Sequence, residues 1–170
     1  MRQHNGMRPQ DVVILLKIIT KKDSPWQNKD LAGELFISSA EVSDSLSRSE
    51  VAGLIDASKK VVFRQSLMEF LEHGLRYVFP ARPGTMANGI YTAHSHPFMQ
   101  TKFPSEINYV WNDVFGDVRG LIIEPLYKNQ VKAAKIDPAL YLLLALLDVI
   151  RVGRVREVKV AIAELKRQIL

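Results

Sequence analysis

The sequence predicts an α+β fold, and three observations carry that reading. Apolar residues recur at helical spacing over Pro9–Thr20, from Asn28 to Leu46, and again over residues 139–169. Between these blocks lie short runs of strand-like composition, at 75–79, 89–94, 108–113 and 117–126. Pro- and Gly-rich stretches such as 80–88 separate them. Helices thus gather at both ends of the chain. The middle holds a small α/β region, and the chain closes with a helical hairpin.

Composition bounds what such a chain can do. Its 170 residues suffice for one domain or two small ones. The formal net charge of +5 favours an anionic partner, nucleic acid foremost, without demanding one. There is no cysteine, which excludes disulfides, thiolate zinc sites and a cysteine nucleophile. No apolar h-region follows Met1, and the longest apolar run, 139–150, is too short to span a bilayer. A soluble cytoplasmic protein with no membrane partner is the expectation.

The elements follow in order. The polar stretch 1–7 has no periodicity and is expected to be disordered. Pro9 suits a first helical turn, and Val12, Val13, Leu15, Leu16 and Ile19 make a broad apolar face after it. Pro25 ends that helix by restricting Ser24. A short helix is expected at 28–35. A second opens at Ser38, where Glu41 three residues on completes an S-x-x-E capping box. Val42 and Leu46, four apart, share one face. Residues 53–55 read as a short strand or a helix end. Residues 58–74 read as one helix, with Leu67, Phe70 and Leu71 at helical spacing and His73-Gly74 as its stop. The runs 75–79 and 89–94 read as a hairpin whose long tip, 80–88, carries Arg82. A second pair of strands is expected around Phe115-Gly116. Asp137-Pro138 caps an apolar helix to Ile150, Gly153 breaks it, and an amphipathic helix ends the chain.

Residues 28–55 are distinctive. Leu31, Ala32, Leu35, Ile37, Val42 and Leu46 fall where a pair of bracing helices needs its contacts, with small Ala32 allowing close approach. With the capping box and the V-x-x-x-L pair, this stretch resembles the helix-turn-helix of bacterial winged-helix transcription regulators, of the broad kind that includes MarR-type proteins. The resemblance covers about the first half of the chain. It implies an N-terminal winged helix-turn-helix over residues 8–96, joined through 95–105 to a C-terminal α/β region at 105–170 that ends in a helical hairpin. Phe36 departs from the motif, which places glycine in the turn. A bulky residue resists positive φ, so a wider turn is expected there.

The resemblance implies double-stranded DNA as partner. Ser39, Ala40, Ser43, Asp44, Ser47 and Arg48 would then face the major groove, where hydroxyls, a carboxylate, a methyl and a guanidinium can each read a base edge. That helix carries little positive charge. Lys29, Lys59, Lys60, Arg64 and the hairpin-tip Arg82 would supply the missing charge, either on phosphates or, for Arg82, in a minor groove. The competing reading is a protein-binding adaptor, or an antitoxin-type regulator engaging a partner protein through its C-terminal region.

Other constellations are weaker. His94 and His96 are two apart, but no third ligand has motif spacing, and no metal or cofactor is expected. Arg119, Glu124 and Tyr127 lack a nucleophile–base pair or a phosphate loop, so no enzyme is expected. The helix at 139–150 is apolar nearly all round and must be covered on most sides. A homodimer centred on Leu140, Leu143, Leu144 and Leu147 would cover it, as would strands 107–126 within one chain.

Overall fold

A computed structural model describes residues 6–170 and is α+β. The expected disorder of residues 1–7 falls largely outside the described residues; Met7 packs against the core. The N-terminal elements are α1 (Pro9–Thr20), α2 (Asn28–Leu35) and α3 (Ser39–Val51). Ile55 then pairs antiparallel with Val62, and α4 (Arg64–His73) and the single turn α5 (Leu75–Val78) follow. Next come β1 (Met86–Tyr91), a 3-10 turn (Ala93–Ser95), α6 (Pro97–Gln100), β2 (Tyr109–Asn112) and β3 (Val118–Ile122). The chain ends with α7 (Gln130–Ile136), α8 (Pro138–Val152) and α9 (Val155–Ile169). No helix among the described residues is long and apolar enough to cross a membrane.

The three strands form a very small closed sheet. β1 runs antiparallel to both β2 and β3, and β2 and β3 run parallel to each other. Such tight closure needs residues without side chains. A Cβ on Gly89 would lie 2.0 Å from the Trp111 carbonyl oxygen, and one on Gly120 would lie 2.5 Å from that of Asn108.

Three expectations change at this point. Residues 75–78 are a helical turn, not part of a strand, and residues 75–79 do not pair with β1. Leu75 is buried, Arg76, Tyr77 and Val78 are exposed, and Phe79 packs against the core four residues on, a helical spacing. The hairpin with Arg82 at its tip is therefore absent, and Arg82 lies in an exposed loop. The helix expected from Ser58 starts only at Arg64, because Val62 returns to pair with Ile55.

One hydrophobic cluster draws on both halves of the chain, from Val12 to Ile169. The first part of the segment 95–105 is packed, with Ser95, His96 and Met99 buried, while Thr101, Lys102, Pro104 and Ser105 are exposed. Leu140, Leu144 and Leu147 are fully buried and Leu143 is 3 % exposed. They are covered within one chain, where α1, α4, α5, α7, α9 and the 3-10 turn all pack on α8. These leucines are thus not free to form the centre of a dimer interface.

The buried hydroxyls of Ser45 and Ser49 and the Gln130 Nε2 have no hydrogen-bond partner among the described residues, whereas the buried acid of α8 is fully paired. The Asp148 carboxylate, wholly buried, accepts from Thr92 Oγ1 (2.7 Å), Trp111 Nε1 (2.6 Å) and Arg151 Nη1 (2.8 Å). Burial pushes its pKa up, against the pull of Arg151, Thr92 and Trp111. Arg151 also donates to the carbonyls of Phe79 and Glu124, so one ion pair links α8 to the α5 end, the 3-10 turn, β2 and the segment after β3.

His96 caps α6 through Nδ1, which accepts the Phe98 N–H at 3.2 Å, and its ring meets Tyr141 edge-on. Burial lowers its pKa to about 4. The unfolded chain, with an ordinary histidine pKa near 6.5, then binds more protons than the fold between pH 6.5 and 4. Stability is lost as pH falls through that window. His96→Asn keeps an acceptor for the Phe98 N–H but cannot titrate. In urea unfolding at pH 7 and pH 4.5, the variant is expected to lose on the order of 2 kcal/mol less than wild type. Equal losses would remove His96 from the acid response.

Candidate nucleic-acid interface

Helices α2 and α3 are joined by Phe36, Ile37 and Ser38. Leu31, Leu35, Val42 and Leu46 are buried between them and α1, and Ala32 is nearly so. Ser45 and Ser49 share the inner face of α3, and their small size lets α3 lie close on α1. The capping box forms as the sequence indicated. Glu41 N–H donates to Ser38 Oγ (3.1 Å), and Ser38 N–H donates to a Glu41 carboxylate oxygen (2.8 Å). Hydrogen bonds from Ser38 hold the Glu41 carboxyl below its ordinary pKa.

The turn is not widened. Phe36 takes the left-handed conformation, φ 57° and ψ 44°, and its N–H and that of Ile37 both reach the Ala32 carbonyl. Two distant side chains hold this end of α2. Tyr127 Oη donates to the Leu35 carbonyl (2.9 Å), and Asn129 Nδ2 donates to the Phe36 carbonyl (2.7 Å). The fixed carbonyls compensate the cost of a bulky residue at positive φ, about 1–2 kcal/mol.

The outward face of α3 presents Ser39, Ala40, Ser43 and Asp44, all exposed, with Ser47 half-buried beside them. Ser47 Oγ donates back to the Ser43 carbonyl and accepts from Lys59 Nζ at 2.9 Å. That contact brings the hairpin 54–63 against α3. The hairpin is minimal: the Ile55–Val62 pair, with Phe63 N–H donating to the Leu54 carbonyl. Asp56 folds its tip by accepting from Ser58 Oγ and from the N–H groups of Lys60 and Val61. Those bonds, Ser58 first, pull the Asp56 pKa down to about 2. Lys60 Nζ donates to the Trp26 carbonyl and sits 3.8 Å from the Trp26 ring centre. Lys29 is exposed on α2.

Arg48 and Arg64 do not join this surface. Arg48 turns inward, and its Nε and Nη2 donate to both carboxylate oxygens of the fully buried Asp11, at 2.9 and 2.7 Å. It fastens α3 to α1, and its guanidinium is engaged there. Arg64 Nη1 donates to the Ile169 carbonyl near the chain end. The residue sequence reasoning missed is Asp11, an isolated acid at the start of an apolar helix.

The histidine pair is also engaged elsewhere. His94 Nε2 bonds the Ile107 carbonyl at 2.7 Å, and His96 serves as the α6 cap. Among the described residues, no group of three or more His, Cys, Asp or Glu side chains is placed to hold a metal.

Two stability measurements test this construction. Asp11→Ala leaves Arg48 unpaired in a largely buried setting and is expected to cost about 3 kcal/mol in urea unfolding. Asp11→Leu combined with Arg48→Met should cost less than that; a double variant no better than the single would mean the ion pair is not the fastening. Phe36→Gly removes the left-handed penalty and an exposed ring, and should stabilise by about 0.5–1 kcal/mol. A destabilised glycine variant would show that the Phe36 ring contributes more than its conformation costs.

Compared with known proteins, the chain matches no family model, no curated protein and no solved structure.

Proposed function

We propose that the protein is a sequence-specific DNA-binding transcription regulator, with α2 and α3 acting as a helix-turn-helix. The observation that carries this reading is the outward face of α3. It is polar, exposed at Ser39, Ala40, Ser43 and Asp44, and flanked by a lysine-bearing hairpin that bonds Ser47 at its edge. Ser39, Ala40, Ser43 and Asp44 offer hydroxyl, methyl and carboxylate groups to base edges in a major groove. The hairpin 54–63 takes the part of the wing, in place of the loop around Arg82. Lys29, Lys59 and Lys60 supply phosphate contacts. Arg48 drops out as a base reader, since Asp11 occupies its guanidinium. A homodimer belongs to this reading, because two half-sites double a readout that one nearly neutral helix makes weakly.

A second reading, a protein-binding adaptor or antitoxin-type regulator, draws on Val114 and Phe115. Both are exposed at the turn between β2 and β3. Salt separates the two. Binding to duplex DNA falls steeply with salt through counterion release, and an apolar protein contact does not.

Fluorescence anisotropy against duplexes from the DNA preceding its own coding sequence, with scrambled duplexes as competitors, tests the proposal. Ser43→Ala with Asp44→Ala should change base preference at a few positions, by about 1–3 kcal/mol each. Lys59→Ala with Lys60→Ala should weaken binding to all sequences and reduce the salt slope by about two. Light scattering of the complex should give two chains per duplex. Absence of salt-sensitive duplex binding, or identical profiles for wild type and both variants, would sink the assignment.

A further inference from the structure

A cavity of about 700 Å3 opens between residues 102–109 and the junction of α8 with α9. It lies within the size range of small-molecule sites. None of its lining residues belongs to α1, α2, α3 or the hairpin 54–63. It is therefore independent of the surface to which DNA binding is assigned.

The wall combines two chemistries. One part is aromatic, from Phe103 and Tyr109. Tyr109 is set in place by an edge contact with His94, ring centres 4.4 Å apart, and His94 is itself bonded to the Ile107 carbonyl. The other part is cationic, from Lys102, Arg154 and Arg156. None of these three side chains makes an ion pair or a hydrogen bond among the described residues; Lys102 Nζ sits 4.9 Å from the Phe98 ring centre. The lining holds one carboxylate, Glu157, and its Oε2 already accepts the Arg154 backbone N–H at 2.8 Å. Arg154 and Arg156 thus face one committed carboxylate, and Lys102, whose charge is also felt by the Glu164 carboxylate, adds a third cation, so the cavity carries a net positive potential.

We propose that this cavity binds a nucleotide-sized organic anion, with a flat ring at one end and a phosphate at the other. The ring lies against Phe103 and Tyr109, where a π-face meets aromatic side chains. The phosphate is held by Arg154 and Arg156, whose planar forks suit its oxygens, with Lys102 adding charge at the same site. Neither half alone fills the cavity. An inorganic phosphate leaves the aromatic wall bare, and an uncharged nucleoside leaves the cations unpaired.

Isothermal titration of the full chain with AMP, GMP, CMP and UMP tests this, with adenosine and inorganic phosphate as partial probes. At least one of the four nucleotides should bind saturably below about 1 mM, the weak end of specific affinity. It should bind at least roughly tenfold more tightly than either partial probe. Arg154→Ala with Arg156→Ala should weaken it at least about tenfold, Phe103→Ala should weaken it also, and Lys59→Ala with Lys60→Ala should leave it unchanged. Thermal melting of each variant checks that the fold is retained, and Arg154→Lys with Arg156→Lys replaces the alanine pair if it is not. No saturable binding by any of the four overturns the proposal. So does binding that survives the arginine variants, is lost with the lysine pair of the hairpin, or is matched by phosphate alone.

Discussion

Helix α1 is buried nearly all round, and it carries two charges into the interior. Val12 to Leu16 are wholly buried, and so is Asp11; Lys17 is nearly so. A charge buried without a partner costs several kcal/mol, so whatever packs on α1 must bring opposite charges to fixed points. Asp11 is met by Arg48 of α3. Lys17 Nζ is met by Glu34 of α2 at 2.7 Å and by Asp137 at 2.5 Å. Asp137 is also the cap of α8, accepting from the Leu140 N–H. Burial works against charge on Lys17, Glu34 and Asp137 alike. The mutual hydrogen bonds outweigh it, raising the Lys17 pKa and lowering those of the two carboxyls. These two nodes set the rotation of α1 and, through it, the positions of α2, α3 and α8.

That constraint decides which side of α3 is left to solvent. Arg48 can reach Asp11 only if the Val42–Leu46 side of α3 faces α1. Ser39, Ala40, Ser43 and Asp44 then face outward as a consequence of packing. The exposed face of α3 and its structural anchor are thus set by one helix, and an arginine four residues past Asp44 belongs to the anchor. Spacing alone assigns it to the surface, because Arg48 follows Asp44 by one helical turn. The fact that moves it, a buried acid 37 residues earlier, is long-range.

Local signals in the sequence carried the helical parts well. The apolar stripe of α1, the Ser38–Glu41 box, the Val42–Leu46 pair and the Asp137 cap each depend on neighbours within four residues, and each appears as read. Failures fall where the deciding contact is distant. Residues 75–79 have strand-like side chains, yet Leu75 packs on α8, and helical spacing prevails over β-propensity. Val62 stands at the head of a run with helical spacing, yet it pairs with Ile55 as a bridge partner. The glycines at 89 and 120 were visible, but only the closed sheet reveals that they admit carbonyls from neighbouring strands. α7 has little sequence signal, because its two buried alanines make a weak stripe.

The left-handed Phe36 shows how the two halves are coupled. Glycine would satisfy that turn without help. Phenylalanine there needs its neighbours held, and the holding groups, Tyr127 and Asn129, come from the segment just before α7. Tyr127 is buried, and burial pushes its hydroxyl to a pKa above the ordinary phenol range, so it stays a donor to the Leu35 carbonyl at any pH the protein meets. Asn129 is the residue before the first of α7, and α7 packs on both α2 and α8. A displacement of α8 therefore has two routes to the α2–α3 turn. One runs through Asp137, Lys17 and Glu34, and the other through α7 to Tyr127 and Asn129. The far end of α8, at Val152, lines the cationic cavity. One rigid helix thus spans from that cavity to the supports of the turn on which the orientation of α3 depends.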